Sequence, residues 1–324
     1  MSPQASFTDT ETLSERQRPN PGRSAPPRRK RVVVTGGSGK LGRWVVKDMA
    51  ENGWQVINID LNPPAEETEG ARYFRADLQN YGDVLAILLE VDSLYKGIDA
   101  IIHLGAIPAP GRAPNHTVFH NNTLSTYNIL EAARVARVKN IALASSETVF
   151  GLPLYPHDPP KLPITEDLAA PETSYSLSKW LGEKMSEQYT RWDPEAKIIN
   201  IRLSNVMDPS EYGRFLSWQD DPYQRSWNGF CYIDARDCAQ GFRLAIEKPL
   251  KGTHVFNIAN ADIAYTKTTA ELAKQVFPNV PYTPETDDPR EGLISIKKAR
   301  ELLGFEPKFD WQSEVKRLQS EGKI

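Results

Sequence analysis

The feature that most constrains this 324-residue sequence is a glycine-rich turn near residue 40. The run Val32-Val33-Val34 precedes the turn, and an apolar-periodic stretch follows it over residues 41–52. A β-branched run is typical of a strand buried on both faces, and the periodic stretch predicts a helix. Gly36, Gly39 and Gly42 lie three residues apart, which lets the backbone approach a pyrophosphate that any Cβ would block. The pattern therefore predicts a phosphate cradle at a helix N-terminus, with a plain strand-to-helix turn as the alternative.

Short apolar runs alternate with helical stretches as far as residue 202. Strands are predicted at 32–34, 55–60, 73–75, 99–104, 141–145 and 198–202, and helices at 41–52, 81–90, 118–136 and 172–190. Strands that alternate with helices of this length build right-handed βαβ units. The fold class is therefore α/β with a doubly wound parallel sheet, and its ligands should lie beyond the carboxyl ends of the strands.

The pattern is less regular after residue 202. Helices are predicted at 233–247, 268–276 and 295–303, and a strand at 253–258. We expect a cofactor domain of residues 31–204 plus about 233–260, and a small C-terminal substrate-binding cap of residues 205–232 plus 261–324. Residues 1–30 hold five prolines, six basic and three acidic residues and no aliphatic run, which predicts a disordered tail.

Charge and cysteine content exclude several classes of protein. The net charge of −3 argues against a nucleic-acid partner, and no apolar run approaches the roughly 18 residues of a membrane span. Cys231 and Cys238 are too few for a disulfide framework or a Cys-rich zinc site, so we expect a cytoplasmic protein. His116 and His120 have metal-compatible spacing but no third ligand, so no metal is expected.

Two aspartates follow the second and third predicted strands. Asp60 can accept hydrogen bonds from the adenosine ribose hydroxyls and would repel a 2′-phosphate, which favours NAD as cofactor over NADP. Lys40 and Arg43 lie nearby in sequence and keep NADP as the alternative. Asp77 can bind the adenine amino group or simply cap a turn.

Tyr175 and Lys179 are four residues apart on a predicted helix, so both side chains lie on one face. A phenol has an ordinary pKa of about 10, and a nearby ammonium and an oxidised nicotinamide are expected to lower it. Tyr175 could then accept a proton from a substrate hydroxyl. Ser146 follows the fifth strand and can hydrogen-bond the oxygen whose charge changes. A surface Tyr/Lys pair and a serine-rich strand exit are the plain alternatives.

These motifs together resemble the extended short-chain dehydrogenase/reductase family, the NAD-dependent epimerase/dehydratase group, over residues 31–312. The matching positions are 35–42, Asp60, Asp77, 103–106, Asn122, 145–151, 175–179, 202–206 and 302–307. The resemblance implies a Rossmann fold, bound NAD and a homodimer formed through the helices near 120–136 and 172–190.

The resemblance also implies roles for individual residues. Ser146, Tyr175 and Lys179 would be the catalytic residues, and Asn122 would support Lys179 through a water. The implied cofactor-binding residues are Gly36, Gly39, Lys40, Leu41, Gly42, Asp60, Asp77, Leu78, Leu104, Gly105, Ala106, Asn122, Tyr175 and Lys179. Dehydratases of this group carry an acidic pair after the catalytic hydroxyl residue. Here Glu147 is followed by Thr148, which argues against dehydration.

Only 26 residues separate Asn205 from Tyr232, fewer than nucleotide-sugar epimerases use, and this short segment resembles the uronate dehydrogenases. The resemblance implies that Asn205 contacts substrate and that Arg214 binds its carboxylate, as a guanidinium fork can. A surface cation is the alternative for Arg214. Glu147 and Thr148 replace an Asn-His pair of that branch, and a carboxylate would repel an acidic substrate, so a neutral sugar-like alcohol is also open.

The sequence therefore predicts an NAD-dependent oxidoreductase that moves hydride between cofactor and a carbinol carbon of a small sugar-like or sugar-acid substrate. The first alternative is an NAD-dependent sugar 4-epimerase. The second is a non-catalytic NAD-binding regulator, against which the intact Tyr175/Lys179 pair argues.

Overall fold

A seven-stranded parallel sheet organises the chain in the computed structural model, which describes residues 29–92 and 95–324. The strands are β1 Arg31–Thr35, β2 Gln55–Asp60, β3 Ala71–Arg75, β4 Glu90–Asp92, β5 Tyr95–Lys96, β6 Ala100–His103, β7 Asn140–Ser146, β8 Lys197–Leu203, β9 Val206–Met207, β10 Ile233–Asp234 and β11 Gly252–Ile258. The helices are α1 Gly42–Glu51, α2 Tyr81–Leu89, α3 Asn115–Ala136, α4 Ser174–Trp192, α5 Ala235–Glu247, α6 Thr269–Val276, α7 Lys297–Leu303 and α8 Trp311–Ser320.

The strand order in the large sheet is β3-β2-β1-β6-β7-β8-β11, all parallel. The order reverses between β1 and β6, where Val33 pairs with Ile101 on one side and with Ile57 on the other. This reversal is the topological switch point, beside which doubly wound sheets bind their ligands. The predicted Rossmann-type α/β class is thus confirmed.

Two hydrophobic cores cover the faces of the sheet. Val32 and Val34 face the core that holds α1 and α5, whereas Val33 faces the core that holds α2, α3 and α4. Successive side chains of a strand point to opposite faces, so a continuous apolar run is what a strand buried on both faces requires. Within the described residues, no helix is long and apolar enough to span a membrane.

The predicted helices and strands agree with the structure to within about three residues at each end. Gly304 closes α7 in the left-handed region, with φ of 69°, as its position after the helix suggested. No pattern in the sequence predicted α8, the small pair β4–β5 or the short strands β9 and β10. Most of the predicted tail, residues 1–28, lies outside the described residues.

The segment between β9 and β10 contains two 3₁₀ helices, Tyr212–Trp218 and Pro222–Asn228. Helix α8 packs on the first of them, and the rings of Phe215 and Trp311 stack 5.6 Å apart. Phe215 is fully buried. This segment is therefore a packed layer that continues the core on the α1/α5 side of the sheet.

Candidate active site

The glycine turn lies between β1 and α1, at the carboxyl edge of the sheet. Gly36 has a φ of +69°, and a Cβ on it would stand 2.8 Å from the backbone of Gly105. A Cβ on Gly42 would stand 2.0 Å from the carbonyl oxygen of Gly36, so these two positions must be glycine for the turn to close. Gly39 differs, because among the described residues a Cβ there would come within 4 Å only of that same oxygen, at 3.2 Å. Its outer side is left open to a ligand.

The start of α1 provides unpaired hydrogen-bond donors. The helix has no side-chain cap at Leu41, and the backbone N–H groups of Lys40 and Leu41 have no protein acceptor within the described residues. Free N–H groups at a helix N-terminus, together with the positive end of the helix dipole, bind anions. The closed turn, the open side of Gly39 and these donors fit the diphosphate of a dinucleotide.

Asp60 ends β2 and braces the turn. One carboxylate oxygen accepts a hydrogen bond from the Ser38 backbone at 3.1 Å, and the other accepts from the Asn62 backbone at 3.1 Å. The side chain is half-buried beside the turn, where the predicted ribose contact would be made. Asp77 is exposed, and its carboxylate accepts from the Gln79 backbone at 2.9 Å, so the turn-capping alternative for Asp77 is present in the structure.

The side chains of Lys40 and Arg43 pair with residues of β9 and of the segment after it. Lys40 Nζ donates to the carbonyl of Val206 at 2.8 Å and forms an ion pair with Glu211. Arg43 forms an ion pair with Asp208, which also accepts from Trp44 Nε1 at 3.1 Å. Both cations therefore connect the turn to β9 and the segment after it.

The exit of β6 lies directly against the turn. Thr35 Oγ1 accepts from the backbone N–H groups of Leu104 at 3.2 Å and Gly105 at 3.1 Å. Leu78 fills the other side of Gly105, since a Cβ there would lie 2.3 Å from Leu78 Cδ1. Leu104, Gly105 and the following Ala106 are half-buried. The predicted cofactor residues of β1, β6 and the loop after β3 are thus brought together.

Asn122 and His103 form hydrogen bonds that hold the end of β6 and the loop after it in place. The Asn122 amide accepts from Ile107 N at 2.8 Å and donates to Ile107 O at 3.0 Å, so it fixes the loop after β6. His103 is buried and its ring lies 2.7 Å from Thr35 Oγ1. Burial and the charge of Lys179 lower the His103 pKa to about 3, which keeps the ring neutral.

Helix α4 carries Tyr175 and Lys179 on the face toward β7. The helix begins with a capping box formed by Thr173 and Ser176. Farther along, the buried Glu183 accepts from Ser145 Oγ at 2.6 Å and forms a two-bond ion pair with Arg202, each bond 2.9 Å. This pair is buried at both ends, so it fixes the position of α4 relative to β7 and β8.

Tyr175, Ser146 and Thr148 form a chain of hydroxyls at the end of β7. Thr148 Oγ1 donates to Ser146 Oγ at 3.0 Å, and the Ser146 hydroxyl is close enough to the Tyr175 phenol to lower its pKa. Lys179 Nζ donates to the carbonyl of Ala144 at 2.8 Å and lies 5.8 Å from the centre of the Tyr175 ring. The structure thus brings Ser146, Tyr175 and Lys179 together, as the sequence predicted.

In the protein alone the phenol pKa is raised, so the Lys179 ammonium by itself does not produce the expected lowering. A lowering by the ammonium and an oxidised nicotinamide together stays a prediction. Burial raises the pKa of Tyr175, the hydrogen bond from Ser146 lowers it and the charge of Glu147 raises it, with the result at about 12. Burial also lowers the Lys179 pKa to about 8. Desolvation disfavours the charged form of both groups, an effect that helical spacing cannot reveal.

Glu147 is buried and directly follows Ser146 in the sequence. One carboxylate oxygen accepts from Ser204 Oγ at 2.7 Å, and the other accepts from Asn228 Nδ2 at 3.2 Å. Burial raises the Glu147 pKa to about 7, and these bonds and the charge of Arg225 oppose the rise. A carboxyl group that titrates near neutrality beside a phenol is typical of a functional site.

Arg225 is a site residue that the sequence analysis missed. Its guanidinium contacts the rings of Trp218 and Trp227, 4.7 and 4.9 Å from their centres. It donates to Asn205 Oδ1 at 3.1 Å and to Cys231 O at 2.8 Å. Trp218 and Trp227 lie on either side of Arg225 in the sequence. Their spacing around Arg225 was the available signal.

The predicted carboxylate-binding residue, Arg214, lies at the surface. Its side chain is 65% exposed and pairs with Glu211 at 3.6 Å. The buried guanidinium beside Asn205 belongs to Arg225 instead. Asn205, Glu147 and Thr148 are therefore gathered at the predicted substrate position, and Arg214 is not. His116 and His120 are not joined by a third ligand within the described residues, where no group of metal-ligating side chains occurs.

A family model described as the NAD dependent epimerase/dehydratase family matches residues 32–219. A UDP-glucose 4-epimerase of Yersinia pestis is 30% identical over 186 residues, a stretch that spans 54% of this chain and about half, 52%, of that relative. A UDP-glucose 4-epimerase of Halalkalibacterium halodurans is 26% identical over 86% of this chain and 91% of its own.

Solved structures extend the likeness to the whole fold. A UDP-glucose 4-epimerase of Thermotoga maritima, solved with UDP-glucose, has a TM-score of 0.66 at 21% identity and covers 90% of this chain and 99% of its own. A uronate dehydrogenase of Agrobacterium tumefaciens has a TM-score of 0.62 at 20% identity and covers 90% of this chain and 89% of its own. At these identities the likeness concerns the fold alone.

Proposed function

Because the chain belongs to the NAD dependent epimerase/dehydratase family, we propose that it is an oxidoreductase acting on a carbinol carbon of a small sugar-like substrate. The observation that carries the proposal is the placement of two groups on one edge of the sheet. The glycine turn follows β1, and Ser146 ends β7, two strands away. At about 4.8 Å per strand, this spacing is about 10 Å.

The nucleotide would lie across the turn, with its diphosphate on the N–H groups at the start of α1 and its adenosine ribose at Asp60. Leu78, Leu104, Gly105 and Ala106 would border the cofactor along the β6 exit. Oxidised NAD, when bound, supplies the acceptor for the hydride that leaves the carbinol carbon and a positive charge at its nicotinamide ring. The free donors and the open side of Gly39 support this arrangement.

Tyr175 would hold and move the proton. In the oxidation, the C–H bond of the carbinol breaks as hydride leaves, the C=O bond forms, and the hydroxyl proton passes to Tyr175 Oη; the reverse returns both. The chain alone keeps the phenol protonated at pH 7, since its pKa is about 12, so an added positive charge beside it is needed to ionise it. Ser146 would donate a hydrogen bond to the reacting oxygen, with Thr148 donating to Ser146 in turn.

Net dehydrogenation is the first candidate, because the segment between Asn205 and Tyr232 is short and well packed. Its 3₁₀ helices bury Phe215, Trp218 and Arg225, which supports a small substrate rather than a large nucleotide. The carbonyl product and reduced cofactor would then be released separately.

Sugar 4-epimerisation is the second candidate. The ion pairs from Lys40 and Arg43 hold the segment after β9 against the cofactor turn, an arrangement that would help to retain NAD through an oxidation and a reduction. The names of the sequence relatives agree with this candidate.

One assay separates the candidates. The purified protein is incubated with NAD and matched aldoses, uronates and nucleotide sugars, while the absorbance of reduced nicotinamide is followed and the sugar isomers are analysed. Net accumulation of reduced cofactor supports the dehydrogenase. Isomer interconversion without accumulation supports the epimerase. Neither result with any substrate would contradict both.

We also propose a cytoplasmic homodimer. Helices α3 and α4 pack side by side and expose large apolar side chains, among them Tyr127 and Trp192. Such residues are suited to an interface with a second copy. Cys231 and Cys238 are free thiols, which agrees with a reducing compartment. Light scattering after size-exclusion chromatography tests the dimer, and a monomer at micromolar concentration would overturn it.

A further inference from the structure

A buried histidine connects the end of β6 to the cofactor turn. His103 ends β6 and is paired in register with Thr35, the last residue of β1. His103 is 4% exposed, and its Nδ1 lies 2.7 Å from Thr35 Oγ1. On the other side of the ring, Nε2 lies 3.3 Å from Thr126 Oγ1 on α3. One imidazole ring therefore joins β1, β6 and α3.

The hydrogen bonds of Thr35 decide which ring nitrogen carries the proton. A threonine hydroxyl has one proton and two lone pairs. Both lone pairs of Thr35 Oγ1 are occupied, because it accepts from the backbone N–H groups of Leu104 at 3.2 Å and Gly105 at 3.1 Å. The hydroxyl proton is then left for His103 Nδ1, which must be an acceptor. In a neutral imidazole the other nitrogen is the donor, so Nε2 carries the proton.

The hydrogen bonds on the α3 side of the ring agree with this direction. Thr126 Oγ1 donates to the backbone carbonyl of Asn122 at 2.8 Å, so its lone pairs can accept the proton on His103 Nε2. A proton on Nδ1 would instead give Thr35 Oγ1 a third donor for two lone pairs. A doubly protonated ring would place a second positive charge near Lys179, whose charge already acts on His103.

We propose that His103 is a positioning residue that holds the β6 exit against the cofactor turn, and that it does so in one tautomer, with the proton on Nε2. By accepting the Thr35 proton, the ring turns both lone pairs of that hydroxyl toward the N–H groups of Leu104 and Gly105. The backbone of Gly105 lies 2.8 Å from a Cβ built on Gly36, so its placement shapes the turn. The inference rests on the proposed function, because it assigns a role toward the cofactor.

The first test is nuclear magnetic resonance of the protein labelled with ¹⁵N-histidine. Long-range ¹H–¹⁵N correlations distinguish the two neutral tautomers, and His103→Asn identifies the His103 signals among those of the five histidines. The Nε2–H pattern is expected, unchanged from pH 5 to pH 9, because burial and the charge of Lys179 lower the His103 pKa to about 3. An Nδ1–H pattern, or a ring that gains a proton within this range, would overturn the inference.

Two substitutions separate the two sides of the ring. His103→Asn keeps an acceptor close to the position of Nδ1 and loses the contact with α3, whereas His103→Gln keeps a donor close to Nε2 and loses the acceptor. In His103→Gln the Gly105 amide proton should exchange with solvent about tenfold faster, and the dissociation constant of NAD should rise about tenfold. His103→Asn should stay within about twofold of the wild type in both measurements.

Thr35→Val removes the shared hydroxyl. It should reproduce both changes of His103→Gln, and the double variant should show no further change, since the two residues act through one hydrogen bond. Thr123→Val is the matched control, because the Thr123 hydroxyl on α3 is buried and has no hydrogen-bond partner among the described residues. It should alter neither quantity. Circular dichroism establishes that each variant is folded.

The outcomes separate this inference from the proposed function. If NAD affinity and Gly105 exchange are unmoved by both His103→Gln and Thr35→Val, the inference is overturned and the proposed function stands. Equal losses in His103→Asn and His103→Gln would also overturn it, since the ring would then act by its bulk. If the wild type binds no NAD, the proposed function fails, and the tautomer and the exchange rates, measured without cofactor, still decide the inference. If His103→Gln does not fold, Thr35→Val and the tautomer decide it.

Discussion

The cofactor turn at residues 36–42 and the cluster around Glu147 lie on the same edge of the sheet, yet different interactions hold them in place. The turn is set by backbone geometry: a positive φ at Gly36 and the close approach of Gly42 to it. The cluster is set by buried side chains that come from distant parts of the sequence, among them Ser204, Arg225 and Asn228.

This difference separates two tasks. A backbone cradle binds a diphosphate through N–H groups that every residue has, so it can serve any NAD-dependent member of a family. A buried side-chain cluster has hydrogen-bonding demands that only certain substrates meet, so it can differentiate between them. Variants in the turn should therefore change the affinity for the cofactor. Variants in the side-chain cluster should change turnover or substrate preference.

The largest effect is expected for Tyr175→Phe, which removes only the phenol oxygen. If Tyr175 moves the proton, kcat should fall by about 10²–10⁴-fold. NAD affinity, followed by fluorescence titration, should change little, because the turn at residues 36–42 is untouched. Tyr127→Phe is the matched control, since that phenol is 46% exposed on α3. Equal activity in the two variants would remove Tyr175 from the mechanism.

The next effect concerns the dependence of folding stability on pH. The folded state raises the Glu147 pKa from 4.5 to about 7, so it binds the proton more tightly than the unfolded chain does. Stability present below pH 4.5 is therefore lost as the pH rises through about 7. A shift of this size corresponds to about 3 kcal/mol. Tyr175, Arg225 and Cys231 are the titratable groups that face the carboxyl.

Glu147→Gln sharpens this measurement, because the amide matches the protonated acid in shape and charge. Denaturant unfolding at pH 5 and pH 8 should show the variant close to the wild type at the lower pH and more stable than the wild type at the higher pH. If the difference in unfolding free energy between the two proteins were the same at pH 5 and at pH 8, Glu147 would not titrate in this range.

Local patterns predicted the sheet and its helices because each of these elements has its own periodicity. The β-branched run of β1 and the regular apolar spacing of α3 and α4 identify these elements without knowledge of their neighbours. The 3₁₀ helices at 212–218 and 222–228 have no such period. They are held by the packing of Phe215 on Trp311 and of Arg225 on two indoles, which are contacts between residues distant in sequence.

The residues of the candidate site also fall into two groups: those whose proximity the sequence could predict and those whose proximity it could not. Gly36, Asp60, Ser146, Tyr175 and Lys179 lie at positions that the ends of strands and one helical turn define, so their proximity could be predicted. Glu147 and Arg225, by contrast, are 78 residues apart in sequence, and their proximity depends on how the segment between β9 and β10 is buried. Arg214 was predicted from the same segment as Arg225. Only the structure shows that the first side chain points to solvent and the second inward.

Gly39→Ala tests whether the cofactor turn is kept open for a ligand. Within the part of the chain that the structure describes, a new Cβ would have one close neighbour, Gly36 O at 3.2 Å. Thermal stability should therefore change little, while the dissociation constant of NAD rises about tenfold. Gly42→Ala is the comparison, because its Cβ would overlap Gly36 O and should cost about 1–3 kcal/mol of folding stability. Unchanged NAD affinity in a folded Gly39→Ala protein would place the diphosphate elsewhere.

The smallest effect is expected at the contact between the cofactor turn and the segment after β9. Arg43 forms an ion pair with Asp208 at this contact, but its side chain is 54% exposed. Exposed ion pairs contribute little to stability. Arg43→Ala should therefore speed NAD release only about two- to fivefold, measured by stopped-flow displacement. Lys47→Ala is the matched control, since Lys47 lies on the same helix and, among the described residues, its ion pair is with Glu51 of that helix, at 3.9 Å. A faster release in Arg43→Ala alone would show that the segment after β9 restrains the cofactor, as an epimerase requires. Equal release rates would mean that the segment after β9 does not restrain the cofactor, which favours a dehydrogenase that exchanges its cofactor in every cycle.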